Sequence, residues 1–256
     1  VEIHQPLVGV ATCWNEAAPC NIALNRQAQA VKVGVKQEQG SPREFTTITV
    51  TDGIAMGHEG MRSSLASREA IADTVELTMR GHCYDALVGL AGCDKSLPGM
   101  MMAMIRLNVP SVFMYGGSIL PGKAPEGADV PAAFADRDLT VQDMFEAVGN
   151  WQGGTMTEAE LEILERVACP SAGACGGQFT ANTMACVSEA IGLALPNSSG
   201  APAPYKSRDE YAVASGAAVM NLIEKNIRAR DICTHEAFEN AARIVACTGG
   251  STNAGL

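Results

Sequence analysis

Short apolar runs alternate with longer stretches of helical periodicity through the first half of the chain. This alternation is typical of βα units, because parallel strands can pair only through long crossover connections. The pattern predicts strands at Leu7–Thr12, Phe45–Val50, Ala86–Ala91 and Ser111–Tyr115, and helices at Ile22–Lys36 and Ser67–Arg80. The predicted fold class is therefore α/β, with a mostly parallel sheet flanked by helices.

The second half of the chain begins differently and is mainly helical. Small residues, Gly and Pro dominate from Gly116 to Pro131, a segment too long for a simple connection, and we interpret it as a functional loop. Helical periodicity then predicts additional helices at Thr140–Val148, Thr157–Ala168, Phe179–Leu195, Arg208–Asn226 and from about Thr234 to Cys247. No repeat or Ser/Gly linker separates these parts, so residues 1–256 are interpreted as one domain. The Gly-rich end after Cys247 resembles the start of another element and suggests a truncated polypeptide.

Three local signals predict where helices begin and end. Ser67 is the expected N-cap of its helix, and Gly81 is expected to stop it. Thr157 and Glu160 have the spacing of a capping box.

Charge and hydropathy exclude two classes of function. The chain has 18 Lys and Arg against 28 Asp and Glu, a net charge of −10, and no basic run, which argues against nucleic-acid binding. The most apolar stretch, Leu97 to Tyr115, is interrupted by Arg106, Asn108 and Pro110, whereas a membrane helix needs about 18 apolar residues in a row. No secretory signal precedes the first strand, so the chain is interpreted as intracellular or already processed, and we expect a cytoplasmic protein, or one from an organelle matrix in a eukaryote.

The nine cysteines are an odd number without a C-x-x-C pair, which favours reduced thiols over disulfides or a zinc ribbon. Most are expected in the core, namely Cys13, Cys83, Cys186, Cys233 and Cys247. The others of interest lie in Gly- or Pro-rich loops before predicted helices, where a helix dipole lowers a thiol pKa and favours metal binding: Cys20, Cys93 and Cys175. For these three, a structural and a metal-binding role are equally compatible with the local sequence.

Carboxylates follow two of the predicted strands. Asp52 comes after the strand ending at Val50, and Asp94 and Lys95 come after the strand ending at Ala91. Because ligands gather at the carboxyl ends of strands in open α/β sheets, these groups suit an Mg²⁺ site. A lysine ammonium would repel that cation, so Lys95 is either a neutral amine, a counter-ion for substrate, or modified to an oxygen ligand. Asp52 with Gly53 is equally an ordinary turn, and His58 is equally a loop residue or a pocket residue.

Six long motifs, taken together, resemble the dihydroxy-acid dehydratase family, which also includes the sugar-acid dehydratases. They are PCN at 19–21, TDGIAMGHEGM at 51–61, SREAIADTVE at 67–76, GCDKSLPGM at 92–100, GACGGQFTANTM at 173–184 and GGSTNA at 249–254. The resemblance covers essentially the whole chain. One departure is Gln178 with Phe179, where relatives usually have Met-Tyr.

The resemblance implies a set of cofactor ligands. Cys20, Cys93 and Cys175 match the three cysteines that hold a [2Fe–2S] cluster with one open iron position. Asp52, Asp94 and Lys95 match ligands of Mg²⁺, the lysine being carbamylated in relatives. A carbamylated lysine offers oxygen, which answers the objection to a cation at this position.

The resemblance also implies a reaction, the elimination of water from a 2,3-dihydroxy acid to give a 2-keto acid. The open iron would act as a Lewis acid on the C3 hydroxyl, and Mg²⁺ would hold the carboxylate and acidify the C2 proton. The motif forms favour 2,3-dihydroxy-isovalerate and 2,3-dihydroxy-3-methylvalerate, the substrates of valine and isoleucine biosynthesis. Aldonic acids are the alternative substrates, and a non-catalytic fragment that binds a cluster or a partner is the alternative of another class.

Relatives in this family are homodimers and about twice as long as this chain. Their second half supplies a β-barrel domain, a further carboxylate ligand and the serine thought to act as base. We therefore expect the chain alone to be inactive as a hydro-lyase. If it were active, His58 would be the first candidate for the base.

Overall fold

Four parallel strands form the sheet in this computed structural model, which describes residues 4–256. In chain order they are β1 (Leu7–Thr12), β2 (Ser41–Thr46), β3 (Ala86–Ala91) and β4 (Ser111–Tyr115), and their order in space is β2-β1-β3-β4. Val10 of β1 pairs with Glu44 on one side and with Val88 on the other. β3 and β4 are buried throughout, as expected for parallel strands covered on both faces. The predicted parallel α/β sheet is confirmed, and three of its strands have the predicted bounds.

The bounds predicted for the second strand are wrong. β2 ends at Thr46, where its neighbour β1 also ends, and Thr47 makes one more bond to Thr12 O at 2.8 Å. β2 is an edge strand with the polar sequence SPREFT, so it lacks the apolar run by which a buried strand is recognised. The residues that follow, 48–50, belong to no strand, and Ile48 is exposed.

The helices of the first half are α1 (Leu24–Gln37), α2 (Asp52–Ala55), α3 (Ser64–Gly81) and α4 (Ser96–Leu107). Ser67 is not an N-cap, because α3 begins three residues earlier and the Ser67 hydroxyl donates to Ser64 O inside the first turn. Gly81 is the last residue of α3, as predicted. The sequence analysis missed α4, whose residues are apolar on most sides and include Pro98 and Gly99. Proline is tolerated in a first turn, and a Cβ on Gly99 would lie 2.7 Å from Arg68 O, so glycine lets α4 pack closely on α3.

The second half has the five predicted helices, with shifts of up to four residues at their ends, and a four-residue helix that the sequence analysis did not predict. The predicted ones are α5 (Val141–Gln152), α6 (Glu158–Val167), α7 (Thr180–Ile191), α8 (Lys206–Glu224) and α10 (His235–Cys247), and the additional one is α9 (Ala229–Ile232). The capping box of Thr157 and Glu160 is confirmed, and Thr140 and Asp143 form a second one on α5. Close backbone contact joins α8 to α1, because a Cβ on Gly34 would lie 2.0 Å from Val213 O.

The elements bury two apolar clusters. The larger contains the sheet and residues of α1, α3, α4, α7 and α8. The smaller lies around α5 and α6 and contains Phe134, Leu139 and Leu164. None of the helices in the described residues is long and apolar enough to cross a membrane.

The cysteines are all free thiols, which confirms that they form no disulfide framework. Cys13 is fully buried, as predicted, and Cys186 and Cys233 are partly buried. The core prediction is wrong for Cys83 and Cys247, which are exposed. Cys83 occupies a left-handed turn after α3 with φ of 53°, and Cys247 is the last residue of α10.

Candidate functional site

The loops that follow the strands surround a cavity of about 170 Å³. One part of its lining is chemically reactive and comprises Cys20, Asp52, Cys93, Asp94 and Cys175. Another part is apolar and comprises Met56, Val141, Phe145 and Phe179. Thr180 and Ser251 add hydroxyl groups from α7 and from the last turn of the chain. The structure thus brings together five of the six predicted site residues on one cavity, and the sixth, Lys95, contacts two of them.

A single hydroxyl connects two of the three thiols. Thr51 Oγ1 lies 3.3 Å from Cys20 Sγ and 3.2 Å from Cys93 Sγ. The two loops approach closely because residue 92 is glycine, where a Cβ would lie only 2.0 Å from Cys20 O. The sequence reasoning did not identify Thr51, although it is the first residue of the motif at 51–61.

Backbone and amide hydrogen bonds hold the loop that carries the third thiol. Gly173 N donates to Pro19 O at 2.9 Å, which fixes this loop against the residue before Cys20. Asn182 Nδ2 donates to Cys175 O at 2.6 Å and to Gly177 O at 2.5 Å, and Asn182 Oδ1 accepts from Tyr115 Oη at 2.6 Å. Asn182 therefore ties the Cys175 loop to the end of β4.

The three thiols differ in acidity. A hydrogen bond with Cys20 lowers the pKa of Cys93 to about 7, whereas that hydrogen bond and burial raise the pKa of Cys20. Burial raises the pKa of Cys175 to about 11. The prediction that a helix N-terminus lowers all three pKa values is therefore wrong for Cys20 and Cys175. The reason is that the hydrogen bond with Cys93 and burial dominate at Cys20, and that burial dominates at Cys175.

A buried lysine links the two carboxylates. Lys95 Nζ lies 3.1 Å from Asp52 Oδ2 and 3.4 Å from Asp94 Oδ1. The Ser64 hydroxyl donates to Asp52 Oδ1 at 2.7 Å, and Asn253 Nδ2 donates to Asp94 Oδ1 at 3.1 Å. Asn253, in the last turn of the chain, thus contacts Asp94, which lies in the loop after β3. The sequence analysis did not predict this contact.

The two carboxylates titrate differently. Burial, reinforced by the hydrogen bond with Asp52, raises the pKa of Asp94 to about 6. Burial also acts to raise the pKa of Asp52, but hydrogen bonds from Asp94, Ser64 and Lys95 outweigh it and lower that pKa. Asp52 is therefore the carboxylate that stays ionised most readily in this pair.

His58 does not belong to this cavity. Its Nε2 lies 2.8 Å from Ile54 O and its Nδ1 accepts from Gly60 N at 3.0 Å, so both ring nitrogens have partners. It lines a separate depression with Thr49 and Ala55. The geometry therefore favours the loop interpretation of His58 over the pocket interpretation.

The donor atoms fit the cofactors that the motifs imply. Within residues 4–256, no three Cys, His, Asp or Glu side chains form a ready-made metal site. Three thiols around one cavity nevertheless match a cluster that leaves one iron position open. Two carboxylates beside a buried lysine match a partial oxygen-ligand set for Mg²⁺, provided that the lysine is carbamylated.

Comparison with known proteins places this chain in a family. The family model for the dihydroxy-acid/6-phosphogluconate dehydratase N-terminal region matches residues 5–256. A protein named dihydroxy-acid dehydratase from Dinoroseobacter shibae is 82% identical over 255 residues, which is 100% of this chain and 42% of the relative. Proteins of the same name from Parvibaculum lavamentivorans and Sulfurisphaera tokodaii are 75% and 52% identical over 100% of the chain, which spans 42% and 44% of their lengths. The chain therefore belongs to the dihydroxy-acid/6-phosphogluconate dehydratase family and corresponds to its N-terminal region.

Proposed function

We propose that the complete protein is a hydro-lyase that converts 2,3-dihydroxy carboxylic acids into 2-keto acids. The observation that carries this proposal is the convergence of three thiols, two carboxylates and a buried lysine on one cavity. The names of the relatives support the same reaction class. Homodimeric assembly and a cytoplasmic or organelle-matrix location belong to the proposal by similarity to the family.

Two groups of residues would hold the cofactors. Cys20, Cys93 and Cys175 would bind a [2Fe–2S] cluster, and Asp52 and Asp94 would bind Mg²⁺ together with a carbamylated Lys95. When bound, these cofactors supply Lewis acids that activate the C3 hydroxyl as a leaving group and acidify the C2 proton.

The polar side chains around the ligands keep them in position. Ser64 and Asn253 each hold one oxygen of a carboxylate, so the other oxygens are constrained in direction. Lys95 is 5% exposed, and its amine lies within 3.4 Å of both carboxylates, whose negative charge stabilises the ammonium. Carbamylation would turn that buried cation into an anionic oxygen donor at the same place.

The apolar lining favours branched substrates over aldonic acids. Phe145 and Phe179 meet edge to face with their ring centroids 6.5 Å apart, and Met56 and Val141 extend the same lining. Burying an alkyl group against such a surface contributes about 25 cal/mol per Å². The hydroxylated tail of an aldonic acid would instead lose hydrogen bonds to water without gaining partners there. We therefore propose 2,3-dihydroxy-isovalerate and 2,3-dihydroxy-3-methylvalerate as the substrates.

The base that removes the C2 proton is proposed to come from elsewhere in the complete protein. Both ring nitrogens of His58 have partners, and the carboxylates and Lys95 are assigned to the metal site. A positioned general base contributes about 10²–10⁴ in rate, so residues 1–256 alone should be inactive.

The test is keto-acid formation by anaerobically reconstituted full-length protein, with residues 1–256 as the matched control. We expect turnover of both branched dihydroxy acids by the full-length protein and none by the control. Preference for an aldonic acid would overturn the substrate assignment. Turnover by residues 1–256 would show that the base lies among them.

A further inference from the structure

Thr51 occupies a position that the proposed chemistry does not use. Its hydroxyl lies within hydrogen-bond distance of two thiols, Cys20 at 3.3 Å and Cys93 at 3.2 Å, without being a ligand itself. A hydroxyl carries one proton, so it can donate to only one sulfur at a time. When both cysteines are thiolates, neither sulfur can donate in return, and one of them must do without this bond.

The two sulfurs belong to different loops, one before α1 and one before α4. Thr51 reaches both of them from the position just before α2. Its hydroxyl is therefore placed to donate to either sulfur.

We propose that Thr51 donates its hydroxyl hydrogen bond to one of these two sulfurs and thereby raises the reduction potential of the iron–sulfur cluster. This inference rests on the proposed function, because it needs the cluster that Cys20, Cys93 and Cys175 would hold. A hydrogen bond withdraws negative charge from a thiolate, which stabilises the reduced, more negative cluster. The same withdrawal of charge makes the ligated iron a stronger Lewis acid. Thr51 is thus a positioning residue that acts through a ligand and does not touch the substrate.

The experiment compares two variants of the full-length protein, Thr51→Val and Thr51→Ser. Valine keeps the branched shape of threonine but removes the donor, whereas serine keeps the donor and loses only a methyl group. The matched control is Thr49→Val, because the Thr49 hydroxyl is buried without a hydrogen-bond partner two residues away. The readouts are the cluster reduction potential from a redox titration followed by electron paramagnetic resonance, the sulfur-to-iron absorption bands, and the iron content.

We expect a lower reduction potential and shifted absorption bands in Thr51→Val, and values close to wild type in Thr51→Ser and Thr49→Val. Loss of the cluster from Thr51→Val alone would also support the inference, since retention of the cluster in Thr51→Ser would show that the donor is required and the methyl group is not. An unchanged potential in Thr51→Val would overturn it. An equal shift or equal cluster loss in both Thr51 variants would overturn it as well, because packing would then be the cause. Absence of a cluster from the wild type would instead contradict the proposed function, and the inference with it.

Discussion

Replacing Asn182 with alanine should loosen the loop that carries Cys175. The side chain donates to Cys175 O and Gly177 O, and both bonds disappear in Asn182→Ala. A net contribution of about 1 kcal/mol for each bond gives a loss of about 2 kcal/mol in the free energy of local opening. Since about 1.4 kcal/mol is a factor of ten, the loop should open about 30-fold more often.

Hydrogen exchange of the backbone amides reports this opening directly. The amides of Gly173 and Ala174 are suitable probes, because they donate to Pro19 O and Gly117 O and are protected only while the loop is closed. Tyr115→Phe is the matched control: it removes the hydroxyl that binds Asn182 Oδ1 but leaves both donors to the loop. We expect about 30-fold faster exchange at these amides in Asn182→Ala and a much smaller change in Tyr115→Phe. Exchange within twofold of wild type in Asn182→Ala would refute this account of the loop.

Three further predictions concern charged residues. Lys95→Arg keeps a positive charge but cannot be carbamylated in the same way, so dihydroxy-acid turnover by the full-length protein should collapse. Near-normal turnover would show that Lys95 is not a ligand of the metal. Arg208→Met should lower the free energy of unfolding by about 3 kcal/mol. The fully buried guanidinium donates to the carbonyls of Tyr115, Ser198 and Ala201, and these carbonyls would lose their donor. A loss below about 1 kcal/mol, measured by urea unfolding, would contradict this prediction. Asp143→Ala should cost about 1 kcal/mol at neutral pH by removing the capping box of α5. Burial acts to raise the pKa of Asp143, but bonds from Thr140 and Arg137 outweigh it and lower the pKa, so this stabilisation is present above about pH 4 and should vanish as the pH falls further. A mutational effect that is independent of pH between neutral and strongly acidic conditions would argue against that assignment.

Sequence patterns predicted the buried part of the sheet because burial itself produces the pattern. β1, β3 and β4 are short, mainly apolar runs, and the structure has them at the predicted residues. The bounds of β2 were predicted wrongly because an edge strand that is half exposed to solvent needs no apolar run. The sequence analysis missed α4 because Pro98 and Gly99 in its first turn are residues typical of a loop.

The site was predictable only as far as strand topology dictates it. Cys93, Asp94 and Lys95 directly follow β3, so their place at the carboxyl edge follows from a parallel sheet. Contacts between segments far apart in sequence could not be predicted. Nothing local in the sequence joins Asn253 to Asp94, or Asn182 to Tyr115, because these contacts arise only when α7 and the last turn pack beside the sheet. The acidity of the thiols was not predictable either, since it depends on burial and on the hydrogen bond between Cys20 and Cys93, which come from loops far apart in sequence.

Three cysteines distant in sequence are proposed to bind one iron–sulfur cluster. The most direct test measures the iron and acid-labile sulfide content of anaerobically reconstituted full-length protein and records its Mössbauer spectrum. The proteins to compare are the wild type, the single variants Cys20→Ser, Cys93→Ser and Cys175→Ser, and Cys247→Ser as a control at an exposed thiol. We predict a [2Fe–2S] spectrum in the wild type and in Cys247→Ser, and loss or severe depletion of the cluster in each of the other three. A wild-type protein without a cluster, or a full complement of cluster in any of those three variants, would contradict the account.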